Sequence, residues 1–177
     1  MEKEEGFNEM QTVKRRMYAM RNGVIADALR KGGSPFRVIF GLNLPQLVEI
    51  ADSIGKDADM ARQLWTNTAT RESMLLAPML MPVEEMGIEE AAEWGRQVPA
   101  PEVADILCHR LLRHLPYALE LSETLMADAS PLAHYTGVRL MLNIAHKHPE
   151  EARRFGEREM ELNLPATRQL ATWLLEY

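Results

Sequence analysis

Prolines at positions 82, 99, 116, 131, 149 and 165 cut the second half of the chain into segments of nearly equal length. Proline suits the first turn of a helix and disrupts a helix interior, so each is expected to open a helix of about three turns. Taking every second proline gives a period of about 33 residues, the length of one helix pair in repeat proteins. From residue 44 onward apolar residues also recur at spacings of three and four. LPQLVEIADSI, DMARQLW, RESMLLAPMLM, EEAAEWGRQV, VADILCHRLL, YALELSETLM, HYTGVRLMLNIAHK and PATRQLATWLLEY each read as one amphipathic helix. No segment alternates with period two. The pattern predicts an all-α chain in which helix pairs stack into a solenoid, because a lone pair cannot bury its apolar face.

The N-terminal third departs from this rhythm. RRMYAMRNGVIADALRK is expected to be helical and to stop at Gly32-Gly33-Ser34-Pro35, and FRVIFGLN then leads into a helix near Leu44-Pro45. No linker-like stretch interrupts the chain. The expectation is one domain over residues 1–177, with a basic helical segment at 1–37 followed by a helix-pair array at 38–177.

Charge is unevenly placed. The net charge is −6, which argues against a generic nucleic-acid coat. Yet residues 14–37 carry seven cations against the single acid Asp27, a local +6 that leaves −12 for the remainder. Such a segment reads either as a local anion-binding surface or as a basic helix balanced by acidic neighbours. With one cysteine, Cys108, an internal disulfide is excluded, and a reducing compartment is implied. The charged start MEKEEGFNEM does not read as a secretory signal, no apolar run reaches membrane-spanning length, and the protein is expected to be cytoplasmic.

Several chemistries lack their residues. There is no phosphate-binding glycine loop, no dinucleotide fingerprint and no Gly-x-Ser-x-Gly elbow. His109 and His114 are five residues apart and His146 and His148 two apart, so neither pair shares a helix face, and no metal site is expected. No cofactor is expected either. Met74, Met79, Met81 and Met86 are read as core, as are Cys108, Trp65 and Trp94.

PEVADILCHRLLRHLP, residues 101–116, is the segment with the most chemistry on it. Glu102, Asp105, His109 and Arg113 share one helical face, and Ala104, Leu107, Cys108, Leu111 and Leu115 another. A structural role for Asp105 is available: near a helix start the dipole favours a carboxylate, and His109 lies one turn on.

Three stretches resemble the HEAT-like-repeat DNA glycosylases of the DNA alkylation repair enzyme family. They are IFGLNLPQLVEIADSI, LWTNTATRESMLLAPML (with Leu64, Trp65, Arg71 and Glu72) and the final ATWLLEY with Trp173. The resemblance implies an α-α superhelix of HEAT-like repeats in which the second helix of each pair lines a concave groove. It implies that Asp105 is catalytic, stabilising the positive charge that develops on deoxyribose as the glycosidic bond breaks. Four residues before this aspartate the family has a tryptophan; here the residue is Pro101. Trp173 corresponds to a functional tryptophan, although its stripe Leu170, Trp173, Leu174, Tyr177 is by default a core stripe. Arg139 is the nearest match to a backbone-contacting arginine, offset by one from Val138.

With Asp105, the residues His109, Arg110, Arg113 and Arg139 are expected to line that groove, and with Trp173 to contact nucleic acid. The implied function is binding of alkylated double-stranded DNA and, in an active enzyme, cofactor-free hydrolysis of the N-glycosidic bond of N3- or N7-alkylated purines. The alternative from a different class is a non-catalytic helical-repeat adaptor that binds a protein or undamaged nucleic acid.

Overall fold

A computed structural model describes the backbone of residues 2–177 and side chains from Glu9 onward. Among the described residues there are eleven α-helices, and extended pairing is confined to an isolated parallel bridge between Val38 and Thr70. The chain separates into two compact units, Met1–Glu85 and Met86–Tyr177.

The first unit contains α1 (Glu2–Ala19), α2 (Gly23–Lys31), α3 (Leu44–Ile54), α4 (Ala58–Thr66) and α5 (Arg71–Leu80). Side-chain caps set most of these starts. Asn22 accepts from the amides of Val24 and Ile25, which splits the expected N-terminal helical stretch into α1 and α2. Asn43 and Gln46 form a reciprocal capping box with two 3.0 Å bonds, and Asp57 caps α4. The helix read as LPQLVEIADSI therefore begins and ends where the sequence placed it.

All ten residues of α5 are buried, charged Arg71 and Glu72 included. Glu72 accepts hydrogen bonds from the amides of Phe40 (3.1 Å), Gly41 (2.8 Å) and Leu42 (3.4 Å) and from Arg71 Nη1 (2.9 Å). Arg71 also donates to the Leu42 carbonyl at 3.1 Å. A loop with no regular structure is thus fastened to α5 by one carboxylate, whose burial is offset by four donors. Gly41 makes the close approach possible. Its φ is +81°, and a Cβ there would lie 2.3 Å from the Asn22 carbonyl oxygen.

The second unit contains α6 (Ile88–Gln97), α7 (Pro101–Arg110), α8 (Ala118–Met126), α9 (Pro131–Ile144), α10 (Pro149–Leu162) and α11 (Arg168–Leu174). Helix α9 is its hub, packing against each of the other five. Gly137 lets α8 come close: a Cβ would sit 2.5 Å from the Met126 amide nitrogen, and Ser122 Oγ donates to the Gly137 carbonyl at 2.9 Å. Gly95 does the same for the Leu125 side chain, bringing α6 onto α8.

The proline rhythm is only partly a helix-start rule. Pro101, Pro131 and Pro149 are first residues of helices, whereas Pro99, Pro116 and Pro165 precede α7, α8 and α11 by two or three residues. Pro78 lies inside α5, as the reading of RESMLLAPMLM as one helix has it, and that helix is enclosed by packing on α3 and α4. The methionines Met74, Met79, Met81 and Met86, together with Trp65, Trp94 and Cys108, are buried as read.

Candidate functional site

Helix α7 buries Val103, Ala104, Leu107 and Cys108, and this turns Asp105 and Arg110, both partly exposed, away from the core. Cys108 Sγ lies 3.4 Å from the Thr136 carbonyl oxygen, and burial raises its thiol pKa far above the ordinary range, so it is an inert core group. Asp105 follows Pro101 by a full turn. The acid in the first turn of α7 is Glu102, so the helix dipole is not what holds Asp105.

Its partners come from α9. Tyr135 donates its hydroxyl to Asp105 Oδ1 at 2.8 Å, and Arg139 Nε stands 3.4 Å from the same oxygen. Tyr135 and Arg139 are one turn apart on α9, so a single helix face supplies both groups. Both act on Oδ1. The Asp105 side chain is 39% exposed, which leaves the carboxylate open to a further charge. Burial raises the Asp105 pKa; the Tyr135 hydrogen bond and the Arg139 charge oppose the rise, and Glu102 adds to it. Tyr135 in turn is pushed well above the ordinary phenol range by burial and by the carboxylate it serves.

His109, exposed on α7, pairs with Asn143 rather than with the aspartate one turn before it. Burial lowers its pKa, and Arg113, Arg110 and Arg139 lower it further, so these three guanidiniums converge on one neighbourhood. The Nε atoms of Arg110 and Arg139 are buried without an aligned hydrogen bond, the Arg139–Asp105 contact being ionic. Asn143 ties the set to α9 by donating to the Arg139 carbonyl at 2.8 Å. Five sequence-predicted residues, Asp105, His109, Arg110, Arg113 and Arg139, are therefore gathered on α7, the 3-10 turn Leu112–His114 and α9. Of the offset pair, Val138 is fully buried, whereas Arg139 reaches the Asp105 carboxylate.

The family model for the DNA alkylation repair enzyme matches residues 13–171. The chain belongs to the DNA alkylation repair enzyme family. Among solved structures, one described as a new family of proteins related to the HEAT-like repeat DNA glycosylases, with affinity for branched DNA structures, matches with a TM-score of 0.77. The identity is 14%, and the match covers 93% of this chain and 73% of the other. No curated protein matches. The fold of this DNA alkylation repair family member is therefore the all-α HEAT-like-repeat fold expected from its sequence.

Trp173 departs from its core reading. Leu170, Ala171 and Leu174 form the buried side of α11, and Trp173, turned about 100° from Leu174, is 41% exposed. Pro101 occupies the first position of α7 and is exposed, with no aromatic surface to offer. Among the described residues no group of three or more His, Cys, Asp or Glu side chains is placed to hold a metal, and no helix is long and apolar enough to cross a membrane.

Sequence reasoning missed Tyr135 and Asn143, although their spacing around Arg139 in HYTGVRLMLN was visible. It also missed the network around Glu159. This buried carboxylate accepts from Thr167 Oγ1 at 2.9 Å and contacts His134 Nε2 at 2.9 Å, while His134 Nδ1 lies 2.6 Å from the Met126 carbonyl oxygen. Acceptors at both ring nitrogens favour the protonated form of His134. The Glu159 hydrogen bond raises its pKa against the effect of burial, and the Glu159 pKa is lowered by His134 and Thr167 against its own burial. The network joins α8, α9, α10 and the turn before α11, so it braces the unit.

Proposed function

We propose that this family member binds DNA through the α7–α9 cluster and that Asp105 serves hydrolysis of the N-glycosidic bond of N3- or N7-alkylated purines. The observation that carries this reading is the Asp105 carboxylate, partly exposed, engaged through one oxygen and paired with Arg139, with Arg110 and Arg113 gathered around His109 one turn further along α7. Guanidiniums suit phosphate oxygens, and an approaching backbone would meet them beside the carboxylate.

Alkylation at N7 or N3 gives the purine a positive charge, and the base departs neutral with the electron pair of the C1′–N9 bond. Positive charge then develops on the deoxyribose, where a fixed carboxylate stabilises it. Water adds at C1′ and its proton passes to solvent or to Asp105. Tyr135 and Arg139 keep the carboxylate ionised and oriented for this step. Arg139 then has a positioning role and Asp105 a catalytic one.

A second reading is a non-catalytic binder of DNA junctions. Pro101 favours it, because the position offers no ring on which a displaced nucleotide could pack. The structural neighbour described by its affinity for branched DNA supports it too. Equilibrium binding of duplex and four-way-junction DNA, measured by anisotropy for wild type, Arg110→Ala and Arg139→Gln, tests the interface common to both readings. Each variant is expected to weaken binding and to reduce the slope of log K against log salt by about one phosphate contact. Unchanged affinity in both variants would remove the α7–α9 interface.

A further inference from the structure

A cavity of about 530 Å³ opens in the second unit between the 3-10 turn Leu112–His114, the start of α8, the end of α9 and the turn into α10. It shares Arg113 with the cluster around Asp105 and is otherwise separate from it. Its polar wall carries the cations Arg113 and Lys147 and the imidazoles of His114 and His148, with Glu120 as the one carboxylate. Arg113 Nε donates to His114 Nε2 at 3.3 Å, so the ring proton of His114 sits on Nδ1 and the imidazole is a donor there. Tyr117 is a wall rather than a donor, since its hydroxyl is spent on the Met86 carbonyl. The rest of the lining is mainly aliphatic.

We infer that this cavity binds a phosphomonoester, the terminal phosphate of a DNA strand. The inference rests on the DNA-binding reading above. Its volume lies within the range of small-ligand pockets and accommodates one terminal nucleotide. Donors from two separate stretches, Arg113-His114 and Lys147-His148, line one concavity. An internal phosphodiester carries one charge and must enter and leave along its chain, whereas a terminal phosphate carries close to two charges and presents three acceptor oxygens to such a ring. Lys147 and Arg113 supply the fixed charge, and the aliphatic floor suits the sugar. Glu120 opposes the anion and sets a limit on its affinity.

The test uses the full chain and hairpin-capped DNA of one sequence in three forms: closed at both ends, nicked with a 5′-hydroxyl, and nicked with a 5′-phosphate. A fourth form carries the phosphate at the 3′ side of the nick. Wild type is expected to bind a phosphorylated form about tenfold more tightly than the hydroxyl form, the scale of a close charge pair. Lys147→Glu is expected to abolish that preference while leaving affinity for the closed form, and Glu120→Gln to increase it. Equal binding of the phosphate and hydroxyl forms by wild type, or a preference that survives Lys147→Glu, would overturn the inference. Should no form of DNA bind, the DNA-binding reading fails on its own account. Titration of a deoxynucleoside 5′-monophosphate against the Lys147 and His148 amide resonances then decides the cavity, with shifts supporting a phosphate site and silence excluding it.

Discussion

Arg139 Nε lies 3.4 Å from Asp105 Oδ1, and the two side chains are 28% and 39% exposed. The pair joins α7 to α9 at a place where solvent, or a ligand, still has access. That combination distinguishes it from Arg71 and Glu72, whose contact at 2.9 Å is buried and fully engaged with a loop. The exposed pair has capacity for a further partner, and the buried pair fixes the fold.

Tyr135→Phe removes the stronger of the two influences that hold down the Asp105 pKa. The pKa of Asp105 is expected to rise further above its ordinary 3.8, and the ionised fraction at mildly acidic pH to fall. Carboxyl-carbon NMR titration of both proteins reads this directly. If base release requires the carboxylate, its acid limb moves to higher pH in the same variant. An unchanged titration would mean that the hydroxyl does not serve Asp105 in solution.

Glu159→Gln should destabilise the second unit by about 1–3 kcal/mol, because it removes the charge-assisted acceptor that favours protonated His134 and leaves an amide in its buried place. The pH dependence has two signs. His134 has a raised pKa, so its contribution is complete below its ordinary 6.5 and is lost as pH rises through the folded-state value. Glu159 has a lowered pKa, so its contribution is complete above its ordinary 4.5 and is lost as pH falls through the folded-state value. Wild-type stability from this pair therefore peaks between these limits. Urea unfolding at pH 6 and at pH 9 should show the wild-type advantage over Glu159→Gln shrinking at the higher pH.

Gly41→Ala places a methyl group against the Asn22 carbonyl at a φ of +81°. Backbone must move on both sides, and the loop would lose its register on Glu72. A loss of at least about 3 kcal/mol, or failure to fold, is expected in thermal denaturation. Gly55→Ala provides the control: it has a similar φ and nothing within 4 Å of the added carbon, so only the backbone strain of about 1–3 kcal/mol is expected, a smaller loss than at Gly41.

The parts legible in the sequence were those governed by local rules. LPQLVEIADSI announced α3 because Asn43 and Gln46 form a capping box around Pro45, and the apolar spacing fixed which face of α7 is buried. RESMLLAPML folds as the single helix α5 that its apolar spacing predicts, with the hydrogen bond lost at Pro78 tolerated within a buried helix. The stripe Leu170, Trp173, Leu174, Tyr177 does not give the buried side of α11, because in a helix of only seven residues Ala171 packs inward and leaves Trp173 exposed. Asp105 and Arg139 came from family resemblance. Tyr135, 30 residues from Asp105, became visible only once α7 and α9 were packed together. The Glu159 network spans 25 residues to His134 and left no periodic trace.

Release of free 7-methylguanine and 3-methyladenine from methylated duplex DNA, with wild type and Asp105→Asn each in excess over substrate, tests the central claim most directly. Asparagine keeps an oxygen for the Tyr135 hydrogen bond and removes the charge, so the fold is preserved while transition-state stabilisation is lost. Release by wild type well above the spontaneous rate, falling by at least about a hundredfold in Asp105→Asn, is the predicted result. Release no faster than the spontaneous rate by folded, DNA-binding wild type, or equal release by both proteins, would contradict it.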